Sequence, residues 1–188
     1  MAPERRPARP GPETARLFFA LWPQPELRNS LHRAAADAAR CFGGRATRAD
    51  SLHLTLAFLG DVPVADLPRL QDAASRVTCD AFRLPVDQLG FWGHNRILWA
   101  GSKAPVPGLS RLADCLAGEL HTAGCGARPE AGRPFAAHVT LVRKVEERPT
   151  QMPAFPSLAW DCRDFVLVRS CLSPRGSSYE VVGRWGLL

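Results

Sequence analysis

The spacing of apolar residues along the chain predicts several strands and helices. Residues 16–22 (RLFFALW) form a short apolar run that predicts a strand. In residues 52–57, leucines alternate with His53, Thr55 and Ala57, so the leucines share one face of a strand and His53 and Thr55 share the other. Helical periodicity covers residues 25–42, 64–77 and 106–123, and Gly43 with Gly44 predicts the end of the first helix.

The remaining apolar segments complete a mixed pattern. Residues 82–90 and 96–101 predict two strands joined by a loop over residues 91–95, and residues 165–172 and 177–185 predict two more strands. Because several predicted strands follow one another without a helix between them, antiparallel pairing is expected. The order of elements predicts an α+β domain with two similar lobes.

One four-residue pattern occurs twice. His53 begins HLTL, and eighty-five residues later (138 minus 53) His138 begins HVTL, again in a predicted strand with His138 and Thr140 on one face. From average composition, two of five histidines would show His-apolar-Thr-apolar by chance on the order of once in a thousand sequences. A single match would more often be a structural histidine, so the functional signal lies in the pair.

Composition limits the function classes without choosing one. The chain has 188 residues, a net charge of +6 and a pI near 9.4, which favours polyanionic partners such as nucleic acid. Part of this charge lies in residues 1–14, a basic, proline-rich tail that we predict to be disordered, so residues 15–188 form the single two-lobed catalytic domain. No segment has the apolar length of a membrane helix or a secretory signal, and six cysteines without metal-finger spacing suggest reduced thiols, so a cytoplasmic protein is expected.

Two facing His-Thr pairs suit acid–base chemistry on a phosphoryl group. Histidine titrates near neutral pH, so one ring can accept a proton while the other donates one. Thr55 and Thr140 can donate hydrogen bonds to non-bridging oxygens, and Arg143 can add a fixed positive charge. Strict alternation points Arg143 away from His138, so it must reach the site from a strand end or a bulge.

The paired motifs, with RLFFAL, SLHLTLAFLG, LWAG and RPFAAHVTLVR around them, resemble the RNA 2′,3′-cyclic phosphodiesterase family. This family, historically called 2′-5′ RNA ligase, lies within the two-histidine phosphoesterase superfamily. The resemblance implies two pseudo-symmetric lobes of antiparallel sheet with helices outside and a central cleft. It also implies that water opens a terminal 2′,3′-cyclic phosphate to a 2′-phosphate without a metal or cofactor, and that the reverse chemistry can join RNA ends through a 2′-5′ linkage.

The resemblance also implies roles for individual residues. His53 is expected to be the proton donor and His138 the proton acceptor, with Thr55, Thr140 and Arg143 binding the phosphate. The family often has Pro before the second histidine, where this chain has Ala137. The implied partner is RNA with a 2′,3′-cyclic phosphate end, and tRNA fragments are one candidate. The protein is expected to be a monomer and not to associate with membranes.

Recognition of the nucleotide base rests on fewer residues. Phe91 and Trp92, in the predicted loop, are candidates for stacking on a base, although packing over the core edge is an equal alternative. Phe58 could line the cleft or the core, and its shared parity with Leu54 and Leu56 favours the core. Tyr179 and Arg175, in a predicted late turn, could reach the site.

Three other functions stay open at this point. The same two histidines would serve an esterase of small cyclic nucleotides, ADP-ribose cyclic phosphate or 2′-5′ oligonucleotides. A basic RNA-binding module would keep the pocket and turn nothing over, although binding alone needs no acid and base. A metal site would need further carboxylate or cysteine ligands, and the two histidine strands show none.

Overall fold

The computed structural model describes residues 13–125, 136–173 and 176–188. Within these residues it has an α+β fold, as the sequence predicts. Its elements are β1 (Thr14–Leu21), α1 (Pro25–Phe42), β2 (Arg45–Ala46), β3 (Leu54–Pro63), α2 (Leu67–Ser75), β4 (Phe82–Val86), β5 (Gln88–Trp92), β6 (Ile97–Gly101), α3 (Pro107–Thr122), β7 (Val139–Arg143), β8 (Leu158–Cys162), β9 (Asp164–Ser173) and β10 (Gly176–Gly186).

The strand order contains an internal repeat. The larger sheet runs β10-β9-β1-β3-β7-β6-β5, with β2 also paired to β7, and β4 pairs with β8 in a second sheet. Each half has a strand, a helix and an antiparallel neighbour, which are β1-α1-β3 in one half and β6-α3-β7 in the other. Each half also contributes a strand to the other half. β5 follows β3 of the first half in sequence but pairs with β6 of the second half, and β9 follows β7 of the second half but pairs with β1 of the first half. This arrangement confirms the prediction of two pseudo-symmetric lobes of antiparallel sheet.

The core lies between one face of the larger sheet and the helices. Buried leucines on α1, α2 and α3 pack against inward-facing residues of the central strands, including Leu54 and Val139. A smaller buried cluster covers part of the opposite face and comprises Phe18, Ala20, Val166 and Val168. This cluster lies on β1 and β9, so the same face of β3 and β7 stays open beside His53 and His138.

The structure corrects the predicted elements at three places. The predicted strand over residues 82–90 divides at Asp87 into β4 and β5, which belong to different sheets. Phe91 and Trp92 do not lie in a loop, because they are the last residues of β5 and the turn follows them. The sequence predicted no strand at β2 or at β8. β2 has only two residues, and β8 is a short segment after a proline-rich link, so neither shows enough alternation of apolar and polar residues.

Two β-bulges change which residues share a face. Along β1 and β3 the register shifts twice, so Ala20 pairs with Thr55 and Phe18 pairs with Phe58. Each bulge inserts one residue and reverses the alternation that follows it. Phe58 is therefore 57% exposed rather than in the core, and the Arg16 guanidinium lies 4.9 Å from its ring centroid.

The ends of the chain and the cysteines complete the picture. The tail predicted for residues 1–14 lies outside the described residues except for Glu13 and Thr14, and Thr14 is the first residue of β1. All six cysteines are free thiols. None of the described helices has the length and hydropathy to cross a bilayer.

Candidate active site

The two motif histidines lie side by side at the centre of the larger sheet. His53 directly precedes β3, His138 directly precedes β7, and Leu54 pairs with Val139 in antiparallel register. Because two antiparallel strands are related by a local twofold axis, such an axis passes near the Leu54–Val139 pair. Both rings border one cavity of about 450 Å³ on the open face of the sheet.

The motif threonines belong to the same cavity. Thr55 and Thr140 both line it, and each follows its histidine by two residues on the same face of its strand. Continuing the register by one residue places Thr55 across from His138 and Thr140 across from His53. Each imidazole therefore has a hydroxyl beside it on its own strand and another across the strand pair.

The backbone fixes the same tautomer in both imidazoles. The Nδ1 atom of His53 lies 2.8 Å from the carbonyl oxygen of Ser51, and that of His138 lies 2.7 Å from the carbonyl oxygen of Ala136. A carbonyl oxygen only accepts, so each Nδ1 carries a proton and donates it. In the neutral ring the lone pair is then on Nε2, which is left for a substrate.

His53 lies among three aromatic rings. The Trp22 ring stacks on it with a centroid separation of 5.6 Å and an interplanar angle of 6°, and the centroids of Phe18 and Tyr179 lie 4.8 and 5.3 Å away. Burial among these rings, with smaller contributions from the charges of Arg143 and His138, lowers the pKa of His53 to about 4, although the hydrogen bond to Ser51 acts in the opposite direction. In the empty site His53 is therefore neutral at pH 7.

His138 has a different surrounding. Its ring is half-buried, and the edge of Trp92 lies against it with the centroids 4.5 Å apart and the rings at 70°. Burial lowers the pKa of His138, and the nearby charge of Arg143 acts in the same direction. Both histidines thus hold protons less tightly than a free imidazole.

A bulge in β7 places Arg143 at the cavity. β6 pairs Leu98 with Val142 but Trp99 with Thr140, which leaves Leu141 as the inserted residue. The insertion reverses the alternation after Leu141, so Arg143 lies on the cavity side although it is five residues from His138. The sequence predicted that Arg143 could reach the site only from a bulge or a strand end, and the structure shows a bulge.

The two candidate stacking residues separate. Trp92 lines the cavity, whereas Phe91 alternates to the other face and packs against the core. Tyr179 also lines the cavity, from β10 rather than from a turn. Arg175 lies outside the described residues.

Sequence reasoning missed several residues at the cavity. Trp22 stacks on His53, and Arg45, Thr47 and Arg48 line the cavity from β2 and the segment after it. The two arginines stand within eight residues of His53 in a basic segment, which was a usable signal. Trp22 gave none, because only the pairing of β1 with β3 brings it close to His53.

Known proteins are similar to this chain in sequence and in fold. Residues 21–99 match the model of the LigT-like phosphoesterase family. The chain is 34% identical to the RNA 2′,3′-cyclic phosphodiesterase of Escherichia coli over 93% of this chain and 98% of that protein, and 34% identical to that of Thermus thermophilus over 92% and 90%. The crystal structure of E. coli LigT with 3′-AMP superposes with a TM-score of 0.82 at 34% identity, covering 93% of this chain and 99% of that one.

Proposed function

The chain belongs to the LigT-like phosphoesterase family, and on that premise we propose that it is an RNA 2′,3′-cyclic phosphodiesterase. The observation that carries this proposal is the pair of imidazoles with the same tautomer, facing one cavity that Arg143 also borders. Such a pair can deliver one proton and remove another on opposite sides of a phosphorus atom.

The reaction divides between the two histidines. Nε2 of His138 accepts a proton from water as the water oxygen bonds to phosphorus. The bond between phosphorus and the 3′-oxygen breaks, and the departing 3′-oxygen takes a proton from Nε2 of His53. The products are a 2′-phosphate and a 3′-hydroxyl, and proton exchange with solvent restores both rings.

Substrate binding prepares His53 for its role as donor. In the empty site the pKa of His53 is about 4, so the ring is neutral at pH 7. A bound cyclic phosphate carries one negative charge, which opposes the effect of Arg143 and favours the protonated imidazole. The arrival of the anion therefore raises the pKa of His53 where the proton is needed.

Thr55, Thr140 and Arg143 complete the phosphate site in this proposal. The threonine hydroxyls donate hydrogen bonds to the non-bridging oxygens, on which the charge lies. The Arg143 guanidinium supplies a charge-assisted contact to the same group. Trp92, beside His138, offers a ring face or edge to the terminal nucleoside.

The direct test is turnover of a short RNA ending in a 2′,3′-cyclic phosphate, in the presence of EDTA. We expect an RNA with a 2′-phosphate and a 3′-hydroxyl, identified by phosphorus NMR. A 3′-phosphate product or no turnover would contradict the proposal. RNA that binds and is released unchanged would identify a binding module, and preferential cleavage of 2′-5′ oligoadenylate or nucleoside cyclic phosphates would identify a different esterase.

The cellular substrate and the assembly state extend the proposal. We expect cleaved RNAs that carry cyclic ends, including tRNA fragments, to be substrates of a monomer. Sequencing of cyclic-phosphate ends in cells with and without the protein tests the first expectation. Light scattering of the purified protein tests the second.

A further inference from the structure

Two arginines stand directly opposite each other at the rim of the cavity. Arg45 of β2 pairs with Arg143 of β7 in antiparallel register, and both side chains are exposed and line the cavity. Side chains at directly opposed positions of antiparallel strands have Cβ atoms about 5 Å apart. The site therefore contains a second guanidinium beside the one already assigned to the reacting phosphate.

A glycine pair at the end of α1 allows Arg45 to reach this position. Gly43 and Gly44 have φ values of 69° and 91°, which residues with a side chain rarely adopt. A Cβ on Gly44 would lie 2.8 Å from the carbonyl oxygen of Arg143. The chain can thus turn out of α1 and lie directly against β7, which brings Arg45 next to Arg143.

This pair of like charges is unfavourable unless an anion lies between or beside the two groups. Within residues 13–125, 136–173 and 176–188, no ion pair involves either Arg45 or Arg143. The neighbouring Arg48 differs, because its guanidinium is bound to the carboxylate of Asp50. Among the partners that these residues offer, none takes up the charge of Arg45, which is therefore available for a ligand, whereas the charge of Arg48 is already balanced by Asp50.

Arg45 and Arg143 together exceed the charge of one cyclic phosphate. Arg143 lies on the same strand as His138, and its charge lowers the pKa of both motif histidines. A cyclic phosphate carries one negative charge, so one guanidinium balances it. Arg45, at the same register position on β2, therefore favours a second anion, which in an RNA is the next phosphate along the chain.

We propose that Arg45 binds the phosphodiester that joins the terminal nucleotide to the one before it. This inference rests on the proposed function and defines the substrate class more narrowly. The enzyme prefers an oligonucleotide with a cyclic end over a nucleoside 2′,3′-cyclic phosphate, because only the oligonucleotide presents an anion at Arg45. Arg45 is a specificity residue rather than a participant in bond breaking.

The test is a cycle of one change in the protein and one in the substrate. The substrates are adenosine 2′,3′-cyclic phosphate, the dinucleotide ApA ending in the same cyclic phosphate, and that dinucleotide with a neutral methylphosphonate linkage. For the wild type, kcat/KM on ApA should exceed that on each of the other two substrates by about tenfold, the scale of one charge-assisted hydrogen bond. Arg45→Gln should remove this advantage and leave the mononucleotide rate within about twofold.

Two controls separate the contribution of Arg45 from general charge and from the fold. Arg111→Ala, on α3 at the far side of the sheet and paired with Asp80 at 3.7 Å, should change none of the three rates. If Arg45→Gln fails to fold, the wild-type comparison of the charged and neutral linkages still tests the inference, since equal rates would overturn it.

The remaining outcomes are also decisive. An equal loss on all three substrates after Arg45→Gln would place Arg45 at the reacting phosphate and overturn the inference. No loss on any substrate would overturn it as well. If the wild type turns over none of the three, the proposed function itself fails, and that failure is distinct from the loss of a dinucleotide preference.

Discussion

The two halves of the sheet present the same motif in different surroundings. His53 is enclosed by Phe18, Trp22 and Tyr179, whereas His138 has Trp92 on one side and faces the cavity rim that Arg143 borders. The backbone treats both rings alike, since each Nδ1 donates to the carbonyl oxygen two residues earlier in the chain. The repeat thus supplies two equivalent imidazoles, and the side chains around them supply the difference in proton affinity.

The same contrast holds five residues after each histidine. Phe58 occupies this position in the first half and Arg143 in the second, and a bulge precedes both. Phe58 is exposed and contacts Arg16, while Arg143 lines the cavity. A symmetric fold therefore carries an asymmetric reaction, because a phosphodiester needs one acid, one base and one cluster of positive charge.

The largest effect is expected from removing either ring. His53→Ala and His138→Ala should each lower kcat at least about a hundredfold, because each removes one of the two proton-transfer groups. The double variant should lose far less than the product of the two single losses, since the rings act as a unit. Single-turnover rates on an RNA with a cyclic end measure this.

A matched histidine on α3 is the control for that experiment. His121→Ala should retain the wild-type rate, because His121 lies in the last turn of α3 rather than at the cavity. Full activity of either motif variant would mean that the two halves do not divide the reaction.

The next effect compares the two equivalent positions. Arg143→Ala should lower kcat/KM by about ten- to a hundredfold, the range for a charge-assisted contact to phosphate. Phe58→Ala should change kcat/KM by only a few-fold, since its ring lies outside the cavity lining. Equal losses in the two variants would contradict the assigned asymmetry.

The aromatic enclosure predicts the pH dependence. Both histidine pKa values lie below the ordinary 6.5, with His53 at about 4, so the fraction of free enzyme with one charged ring falls as pH rises through these values, before neutrality is reached. The wild-type kcat/KM should therefore decrease by about tenfold per pH unit on its basic limb. Trp22→Ala exposes His53 to water, which raises its pKa toward 6.5 and moves that limb to higher pH.

NMR titration of the His53 ring in the free protein checks the same cause independently of turnover. The resonance should titrate near pH 4 in the wild type and at a higher pH in Trp22→Ala. An unchanged midpoint would show that stacking by Trp22 does not set the proton affinity of His53.

The smallest effect should be symmetric. Thr55→Val and Thr140→Val should each lower kcat/KM by about fivefold, because a neutral hydroxyl contributes one ordinary hydrogen bond to the phosphate. The serine variants should keep most of the activity, since they retain the hydroxyl. A large loss in one half alone would show that the phosphate lies off the local twofold axis.

Sequence patterns predicted the parts of the molecule that depend on local order. Helical periodicity located α1 and α3, and the double His-x-Thr pattern located the two strands at the centre of the sheet. The prediction for Phe58 was wrong because a β-bulge precedes it. The inserted residue reverses the alternation of side chains between the two faces of the strand, and the composition of the segment does not indicate the insertion. A bulge was foreseen for Arg143 only because its side chain otherwise pointed the wrong way.

Contacts between segments that are distant in sequence could not be predicted from local patterns. Trp22 meets His53 only through the pairing of β1 with β3, and nothing in its own segment indicates this. Tyr179 was expected near the site from a turn, whereas the pairing of β10 with β9 brings it there on a strand. Trp92 was selected together with Phe91 because a loop was predicted there. The strand that replaces the loop sends the two rings to opposite faces.

A substrate with sulfur in place of the 3′-bridging oxygen tests the division of roles most directly. A thiolate leaves without a proton, so this substrate needs no general acid but still needs a base to activate water. We expect His53→Ala to recover to within about tenfold of the wild-type rate on it, and His138→Ala to stay at least about a hundredfold slower. Recovery of His138→Ala instead would contradict the assignment of His53 as donor and His138 as acceptor.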